Sequence, residues 1–414
     1  MRKIQRSTHD DDDDDTDRSH QSLDHIPHDL IAEILSRLPT KSILRSRSVS
    51  KLWSSITTTP DFINSFASRS LASAQPCVLL IFSKLDQLFV FSSPIHQNNT
   101  HPPPPPDQTE SYQFTIPNNG LLHRHGSVHG LIYFDTSTQL MIWNPTLKRI
   151  ITFPELQGSE GKYKTTLLGY DPVDRKYKAL CIFRGYKNGI LTLGAQESWR
   201  MLPKDDFPLH YCVSEGCVIC INGVIYYTVI LNVYDSNDFS EEHGVMSFDL
   251  QSEKFRFIKY PMENHKSLSF VSYERRLALM IGSNGRSSTE LWILEDAENH
   301  QWEYKQFPPP QLPYIIWILR GLRLKGVTDA GEFIYVSTPY DTNDIRSPSH
   351  INDEERSSYE RFDILYFDPK KNSSRQVKLR GIGFDDFERL ELYEYDFMKD
   401  LTVVPRHIES LMSL

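Results

Sequence analysis

The sequence predicts a multidomain α+β protein, in which a small three-helix module precedes a mainly antiparallel all-β, propeller-like domain of about six blades. Three observations predict this fold: apolar residues at helical spacing between Leu23 and Ile56, repeated strand-turn-strand units behind them, and a strand-rich region running past about 300 residues. We expect five segments: a disordered acidic tail at 1–22, the helical module at 23–66, a linker at 67–76, the β-domain at 77–405 and a C-terminal tail at 406–414.

The first segment is polar and rich in charge, and Asp10 to Asp15 form an unbroken aspartate run. Such a composition cannot bury enough apolar surface to offset the loss of chain entropy on folding. We therefore expect residues 1–22 to be a solvated, disordered tail rather than a metal-binding segment.

The helical module begins with a stripe of apolar side chains at helical spacing: Leu30, Ile31, Ile34, Leu35 and Leu38. Pro27 suits the first turn, where its missing N–H costs nothing, and Pro39 ends the helix. Two shorter apolar groups predict a second and a third helix, the former with Ile43 and Leu44 and the latter with Val49, Leu52, Trp53 and Ile56. A module of about 40 residues is too small to stabilise itself by burial alone. It must either pack on the next domain or bury its apolar stripe in a groove of a partner protein.

The order of these residues resembles the F-box, the three-helix adaptor-binding motif of cullin-based ubiquitin ligases. The resemblance rests on Ile26-Pro27-x-x-Leu30, on Ile34-Leu35-x-x-Leu38-Pro39 and on Arg47-x-Val49-Ser50-Lys51-x-Trp53, which follow one another at the family's spacing. It implies that a Skp-family adaptor binds here. The implied adaptor-binding residues are Ile26, Pro27, Leu30, Ile34, Leu35, Leu38, Pro39, Ile43, Leu44, Val49 and Trp53. The sequence does not separate those that contact the adaptor from those that form the module's own core.

Two positions depart from the F-box pattern. Ser46 and Ser48 stand where many relatives carry an aromatic or aliphatic residue and a cysteine. The lost apolar contact is worth about 1 to 2 kcal/mol, which is too little to argue against binding.

The region behind the module repeats a strand-turn-strand theme in units of about 45 residues. GSVHGLIYFDTSTQLMIWNPTLKRIITFP is one such unit, and three further units begin at CINGVIYY, at ERRLALMI and at GEFIYVST. A weaker unit begins at LLGYDPVD, and an opening unit begins at Cys77. Antiparallel units that cannot bury both faces alone are typical of propeller blades. We expect the closing segment, RLELYEYDFMKDLTVVP, to supply a strand that completes the opening blade.

The phrases WNPTLKR, LLGYDPVDRKYKAL, CINGVIYY and FDLQSEKFRFI resemble the F-box-associated domain that follows the F-box in a large plant family. This resemblance spans nearly the whole region from Pro76 to Val404 and depends on the order of the phrases. It implies a domain that binds a target protein.

Two residue clusters invite a metal-site interpretation. Cys212, Cys217 and Cys220 have a C-x4-C-x2-C spacing, but no fourth cysteine follows, and residues three apart on one strand point to opposite faces. The histidine cluster, His123, His125 and His129, has no carboxylate or cysteine at conventional ligand spacing. We expect neither cluster to bind metal.

The sequence contains no phosphate-binding loop, nucleophile elbow, zinc-protease motif or dinucleotide fingerprint. Some propellers are glycosidases with paired carboxylates, but the acidic residues here follow strands, where aspartate favours turns. Examples are Asp135, Asp171, Asp249 and Asp368. We expect no catalytic residue, no metal and no cofactor.

Composition limits the possible partners further. The formal net charge of -9 argues against a nucleic-acid-binding protein, which normally has a basic face. No stretch approaches the roughly 20 apolar residues of a membrane span, and the N-terminus lacks the apolar run of a secretory signal. Five cysteines, an odd number, indicate reduced thiols. We expect an intracellular protein, in cytoplasm or nucleus.

The two resemblances together imply a non-enzymatic substrate receptor of a Skp–cullin–F-box ubiquitin ligase, with an adaptor, a cullin and an unknown target protein as partners. We expect the target to contact the long loops at Tyr234–His243 and Asp341–Ser358. Two alternatives remain open from sequence: an interaction scaffold outside any ligase, whose helical module caps the propeller, and a propeller lectin or enzyme.

Overall fold

The computed structural model describes residues 26–72, 77–84, 87–94, 110–115, 122–136, 140–153, 164–183, 188–194, 198–203, 210–213, 217–235, 238–262, 268–281, 288–312, 322–336, 361–383 and 401–412. The predictions for the acidic tail and the loop Asp341–Ser358 lie outside these residues. The chain divides into a helical unit, Met1–Ser70, and a β unit, Leu71–Leu414.

The described residues include four helices rather than three before the first strand: α1 (His28–Ser36), α2 (Thr40–Val49), α3 (Lys51–Thr57) and α4 (Pro60–Ala72). The fourth helix occupies part of the segment that the sequence analysis assigns to a linker, so that assignment is wrong up to residue 72. Its serine-rich sequence has only middling helix propensity. Burial of Phe62 and Phe66, four residues apart on one face, favours the helix nonetheless.

Within the described residues, the β unit has 25 strands. The first twelve are β1 (Cys77–Lys84), β2 (Gln87–Pro94), β3 (Glu110–Thr115), β4 (Leu122–Val128), β5 (Leu131–Thr136), β6 (Leu140–Asn144), β7 (Arg149–Thr152), β8 (Lys164–Asp171), β9 (Lys176–Phe183), β10 (Asn188–Thr192), β11 (Arg200–Met201) and β12 (His210–Cys212). The others are β13 (Val218–Ile221), β14 (Val224–Asp235), β15 (Asp238–Asp249), β16 (Phe255–Lys259), β17 (Leu268–Tyr273), β18 (Arg276–Ile281), β19 (Thr289–Asp296), β20 (Gln301–Phe307), β21 (Arg323–Val327), β22 (Phe333–Val336), β23 (Arg361–Asp368), β24 (Ser373–Gly383) and β25 (Thr402–His407).

These strands form six antiparallel sheets, which we number as blades in chain order. Blade 1 has the strand order β25-β1-β2-β3, blade 2 is β4 to β7, blade 3 is β8 to β11, blade 4 is β12 to β16, blade 5 is β17 to β20 and blade 6 is β21 to β24. One edge strand of each blade contacts the corresponding strand of the next, in the ring β25, β4, β8, β13, β17, β21 and back to β25. A closed ring of radial sheets is a propeller, as the repeated units predict. The blade number is confirmed.

The closing strand comes from the end of the chain. Strand β25 pairs antiparallel with β1, with Leu80 opposite Val403 and Ile81 opposite Thr402. Placing the first strand of the β unit, β1, and the last, β25, in one blade closes the ring by backbone hydrogen bonds. This confirms that the closing segment completes the opening blade.

The core lies between neighbouring blades rather than at one centre. The strands that form the middle of each sheet are apolar, and β5 and β6 are buried at every described position. Trp143, which is 1% exposed, packs against Tyr112 and Phe114 of blade 1. Each blade therefore depends on its neighbours for burial. A single blade is for this reason not expected to fold alone.

Five hairpin turns share one geometry. In each, an Asp or Asn side chain accepts backbone N–H groups two to three residues ahead, and the fifth residue has a positive φ between 49° and 57°. The turns are Asn144 to Lys148, Asp171 to Arg175, Asp249 to Glu253, Asp296 to His300 and Asp368 to Asn372. The prediction that acidic residues after strands serve turns is confirmed for Asp171, Asp249 and Asp368. It is wrong for Asp135, which is buried in β5 and accepts the Thr166 N–H of blade 3 at 3.0 Å.

The left-handed position of these turns gives a stability prediction. His300 has φ 53°, a conformation that costs a non-glycine residue about 1 to 2 kcal/mol. We expect His300→Gly to raise the free energy of unfolding by about 0.5 kcal/mol, after the added entropy of the unfolded chain is subtracted. Urea titration measures this. The matched control is Gln301→Gly, one residue later in β20, which should destabilise the protein by about 0.5 to 1 kcal/mol.

A buried ion pair within blade 3 also donates a hydrogen bond to blade 4. Lys178 Nζ lies 3.1 Å from Asp171 Oδ2 and donates to the Leu250 carbonyl at 2.5 Å, and both charged side chains are buried. Burial alone would raise the pKa of the Asp171 carboxyl. Hydrogen bonds from the Asp174 N–H, the Lys178 ammonium and the Val173 N–H outweigh burial and lower that pKa below its usual range.

The lowered pKa of Asp171 predicts an acid dependence of stability. A group whose pKa is lower in the folded state stabilises the protein above its unfolded pKa of about 3.9. That contribution is lost as the pH falls through the folded pKa. We expect Asp171→Asn to lose about 1 to 3 kcal/mol of unfolding free energy at pH 7, and the difference from wild type to shrink below about pH 4. Urea unfolding of both proteins from pH 7 to pH 2 measures this, and a difference that is constant with pH would contradict it.

Two further predictions about the β unit are wrong. The segment Tyr234–His243 is not a long loop, because β14 and β15 stay paired up to Asp235 opposite Asp238 and only residues 236–237 separate them. The β-branched residues Val229, Ile230 and Val233 precede it in β14, and residues of this type favour continued strand pairing. The residues from 406 onward are not a loose tail, since β25 reaches His407, and Ile408 and Leu411 are buried.

Candidate functional site

The candidate site is the apolar surface of the helical unit. Helix α1 carries two apolar stripes, offset from each other by one residue. Ile31 and Leu35 are 7% and 2% exposed, whereas Leu30 and Ile34 are 52% and 56% exposed. Since successive residues of a helix differ by about 100° in direction, one stripe fills the core and the other faces outward. The apolar face of α1 is therefore wider than the part of it that packs into the core of the unit.

The eleven residues singled out in the sequence fall into three groups. Leu35 and Ile43 belong to the core of the unit, and Leu38, Leu44 and Trp53 are half-buried. The others are exposed: Ile26, Pro27, Leu30, Ile34, Pro39 and Val49. Val49, at the end of α2, is 73% exposed. The structure therefore separates the core residues from the exposed ones, which the sequence alone did not do. A substitution at Leu35 tests folding of the unit rather than partner binding.

The core of the unit is completed by the helix that the sequence analysis missed. Phe62, Phe66 and Ala67 of α4 are buried. Thr59 starts this helix by accepting the Phe62 N–H on its hydroxyl at 3.3 Å, and Pro60 and Asp61 occupy the favourable first turn. The sequence Thr59-Pro60-Asp61 followed by phenylalanines four apart is the signal that could have predicted α4.

Polar contacts hold the four helices together. Glu33 of α1 accepts from Arg37 at 2.8 Å and from Arg69 of α4 at 2.6 Å, and Arg69 also donates to the Ser36 hydroxyl. Hydrogen bonds from the Arg37 and Arg69 side chains lower the pKa of the Glu33 carboxyl. Arg47 of α2 donates to the Thr57 carbonyl at 2.9 Å. These contacts fix α1 on its neighbours while its outer stripe stays exposed.

This chain is similar to known proteins along almost its entire length. Residues 23–65 match the F-box domain, and residues 77–408 match the F-box associated beta propeller domain. Two proteins from Arabidopsis thaliana, both described by name as F-box proteins, are 52% and 45% identical to it. The first alignment covers 99% of this chain and 100% of the relative, and the second covers 94% and 91%. The chain belongs to the F-box-associated β-propeller family.

This chain is a plant F-box protein with an F-box-associated domain. An F-box domain generally binds Skp-family adaptors, and F-box proteins with propeller domains are generally non-catalytic adaptors. The two departures from the F-box pattern lie in different surroundings. Ser46 is buried and donates to the Ile43 carbonyl at 2.7 Å, while Ser48 is exposed and donates to the Arg45 carbonyl at 2.7 Å. The departure at Ser46 therefore changes the packing of the F-box core, and the departure at Ser48 changes the F-box surface.

The cysteines of the propeller do not share a site. Cys217 donates its thiol to the Leu268 carbonyl of blade 5 at 3.0 Å, whereas Cys220 and Cys212 pack in the core between blades 3 and 4. Burial raises the pKa of the Cys220 thiol to about 11, so it stays protonated. The prediction that Cys217 and Cys220 face opposite sides of the sheet is confirmed.

The histidine cluster is also divided. His125 lies within β4, whereas His129 lies in the turn after that strand, and its ring stacks on Tyr170 with centroids 3.8 Å apart. Burial lowers the pKa of His129 to about 4, so the imidazole is neutral at physiological pH. Among the residues that the structure describes, no group of three His, Cys, Asp or Glu side chains is placed to hold a metal ion. Within the same residues, no helix is long and apolar enough to cross a membrane.

Proposed function

We propose that this F-box protein is the substrate-receptor subunit of a Skp–cullin–F-box ubiquitin ligase. The observation that carries the proposal is the outer stripe of α1. Leu30 and Ile34 are more than half exposed, although the unit's core is filled by Ile31, Leu35 and α4. Exposed apolar residues at i and i+4 of a helix are the pattern of a helix that packs into a partner's groove. The partner in this proposal is a Skp-family adaptor, which joins the F-box to a cullin.

The polar surroundings suit a stable contact of this kind. The exposed stripe is held on a helix fixed by the Glu33–Arg37–Arg69 contacts, so little side-chain or backbone order has to be gained on binding. Burying both side chains would contribute about 3 to 6 kcal/mol. This is enough for two residues to dominate the interface as hot spots.

The propeller supplies the second half of the function. In this proposal it binds a target protein and brings the target's lysines to a ubiquitin-charged enzyme bound at the cullin. Proximity alone provides the rate increase, because bringing reactants together can replace a large part of the entropic barrier. No residue of this chain then takes part in bond-making. The proposal places the protein inside the cell, in cytoplasm or nucleus, where ubiquitin ligases act.

Co-purification tests this function. The full chain is expressed with a plant Skp-family adaptor and a cullin, and the complex is isolated through a tag on the chain. We expect the three proteins to elute together at one-to-one stoichiometry during size-exclusion chromatography. The complex should also transfer ubiquitin to the chain itself or to a captured target when the charged enzyme is added. Elution of a folded F-box protein without adaptor would overturn the proposal.

A further inference from the structure

The second departure from the F-box pattern, Ser48, lies in an unusual charge environment. Between residues 34 and 60 the chain carries five basic residues and no acidic one: Arg37, Lys41, Arg45, Arg47 and Lys51. The whole chain, in contrast, has a formal net charge of -9. The basic residues concentrate around Ser48, with one arginine three positions before it and one directly before it. This pattern resembles the charge patterns by which kinases select their substrates.

The neighbouring serines differ in accessibility. Ser46, two residues earlier, is 5% exposed and its hydroxyl is bonded inside the core. Ser48 is exposed, and its hydroxyl contacts only the Arg45 carbonyl of its own helix among the contacts described. Ser50 is half-buried and lies between α2 and α3, with φ −142° and ψ 134°. Ser48 therefore combines an accessible hydroxyl with an arginine three positions before it and another directly before it.

The backbone at this point can be opened at low cost. Helix α2 ends at Val49, and Ser50 is already extended. The last carbonyls of a helix lack intrahelical donors, so helix ends open locally more easily than helix centres. Unwinding the last turn of α2, which also releases the Arg47 contact with the Thr57 carbonyl, presents Ser48 as an extended segment.

We propose that Ser48 is a phosphorylation site that controls adaptor binding; the regulatory part of this inference rests on the proposed function. The co-substrate is ATP, and the enzyme is a serine kinase with an acidic groove that recognises arginine before the acceptor. The Ser48 Oγ–P bond forms and the bond between the bridging oxygen and the γ-phosphorus of ATP breaks. ADP leaves, and the hydroxyl proton passes to the kinase's base.

Phosphorylation changes the surface next to an exposed apolar residue. The phosphate has a charge of about −1.5 to −2 at pH 7, and it is attached one residue before Val49, which is 73% exposed. It lies in the last turn of α2, where the helix dipole is also negative. A charged group at an apolar interface keeps its water or loses it at high cost. Both effects oppose packing of an adaptor on this end of α2.

The test uses the full chain, ATP and a purified serine kinase that selects arginine three residues before its acceptor. Mass spectrometry locates the phosphate, and calorimetry measures the Kd for the Skp-family adaptor before and after phosphorylation. Two variants serve as controls. Ser48→Ala keeps every other acceptor in the chain, and Ser50→Ala removes the neighbouring serine that has Arg47 three positions before it.

We expect phosphate on Ser48 in the wild type and in Ser50→Ala, and a Kd at least about tenfold higher after phosphorylation. The Kd of Ser48→Ala should not change on treatment with the kinase. Phosphate on Ser50 but not on Ser48 would overturn the site assignment. An unchanged Kd after stoichiometric phosphorylation of Ser48 would overturn its regulatory role. If the untreated protein does not bind adaptor, the proposed function itself fails and the regulatory role with it, whereas mass spectrometry still decides the site.

Discussion

Replacing the outer stripe of α1 is expected to abolish adaptor binding and to leave the F-box folded. The change is Leu30→Asp together with Ile34→Lys. These residues are 52% and 56% exposed, so their loss removes little apolar contact within the unit. Loss of two buried contacts in the complex should raise the Kd about a thousandfold. Calorimetry with purified adaptor measures the affinity, and circular dichroism measures helix content.

The chosen residues also protect the helix itself. An aspartate at position 30 lies in the first turn of α1 and a lysine at position 34 lies in the last, so each charge is favourable with the helix dipole. The pair is also spaced four residues apart with the acid first, which adds a few tenths of a kcal/mol. We therefore expect the stability of the F-box to change by less than about 0.5 kcal/mol.

Two controls separate binding from folding. Leu35→Ala truncates the neighbouring buried side chain, which should destabilise the F-box by about 2 to 5 kcal/mol. Val173→Asp replaces a side chain of the propeller that is 63% exposed, so adaptor affinity should stay at the wild-type value. A double variant that binds adaptor like wild type would show that the outer stripe is not the contact surface.

Removing residues 408–414 is expected to destabilise the propeller by about 5 kcal/mol or more. Ile408 and Leu411 are 4% and 0% exposed, and each buried large aliphatic side chain is worth about 2 to 5 kcal/mol when truncated. The deletion also removes the Ser410 and Met412 carbonyls, which accept the Asn144 amide at 2.9 Å each. A buried amide without partners costs about 1 to 3 kcal/mol more.

The reason for this large effect is the position of the segment. It leaves blade 1 at the end of β25 and packs on two turns of blade 2. Gly130, at φ 88°, makes room for it, since a Cβ at that position would lie 2.7 Å from the Ile408 carbonyl oxygen. The segment thus ties the closing blade to the next one by hydrogen bonds.

Urea unfolding measures the deletion, with the fluorescence of buried Trp143 beside Asn144 as the signal. Two single changes locate the effect. Leu411→Ala should cost about 2 to 5 kcal/mol and Asn144→Ala about 1 to 3 kcal/mol, both with the chain at full length. An unfolding midpoint of the truncated protein that equals the wild-type midpoint would show that the segment does not close the ring.

The helical unit shows where prediction from sequence ends. The spacing of Leu30, Ile31, Ile34 and Leu35 determines that α1 is a helix with an unusually wide apolar face. It does not determine which half of that face is internal, because adjacent stripes satisfy the same spacing. Which half is internal depends on where α4 packs. The sequence was not predicted to form α4, because that segment is rich in serine.

The propeller shows the same limit at a larger scale. Strand alternation and turn residues are local, so the blades, their number and the aspartate-led turns follow from the sequence. Asp135 and the segment after His407 have no such local signal. Their environments come from residues far along the chain, Thr166 for the former and Asn144 for the latter.

The sequence by itself determined the family, the order of the two units and the six-bladed ring, because these depend on patterns repeated within short windows of the chain. Only the tertiary structure decided which F-box residues are exposed, that residues 408–412 fasten the ring and that Ser48 rather than Ser46 is accessible. Burial is the reason for the difference. Whether a side chain meets solvent depends on what packs against it, and the packing partners here lie in other helices or in other blades.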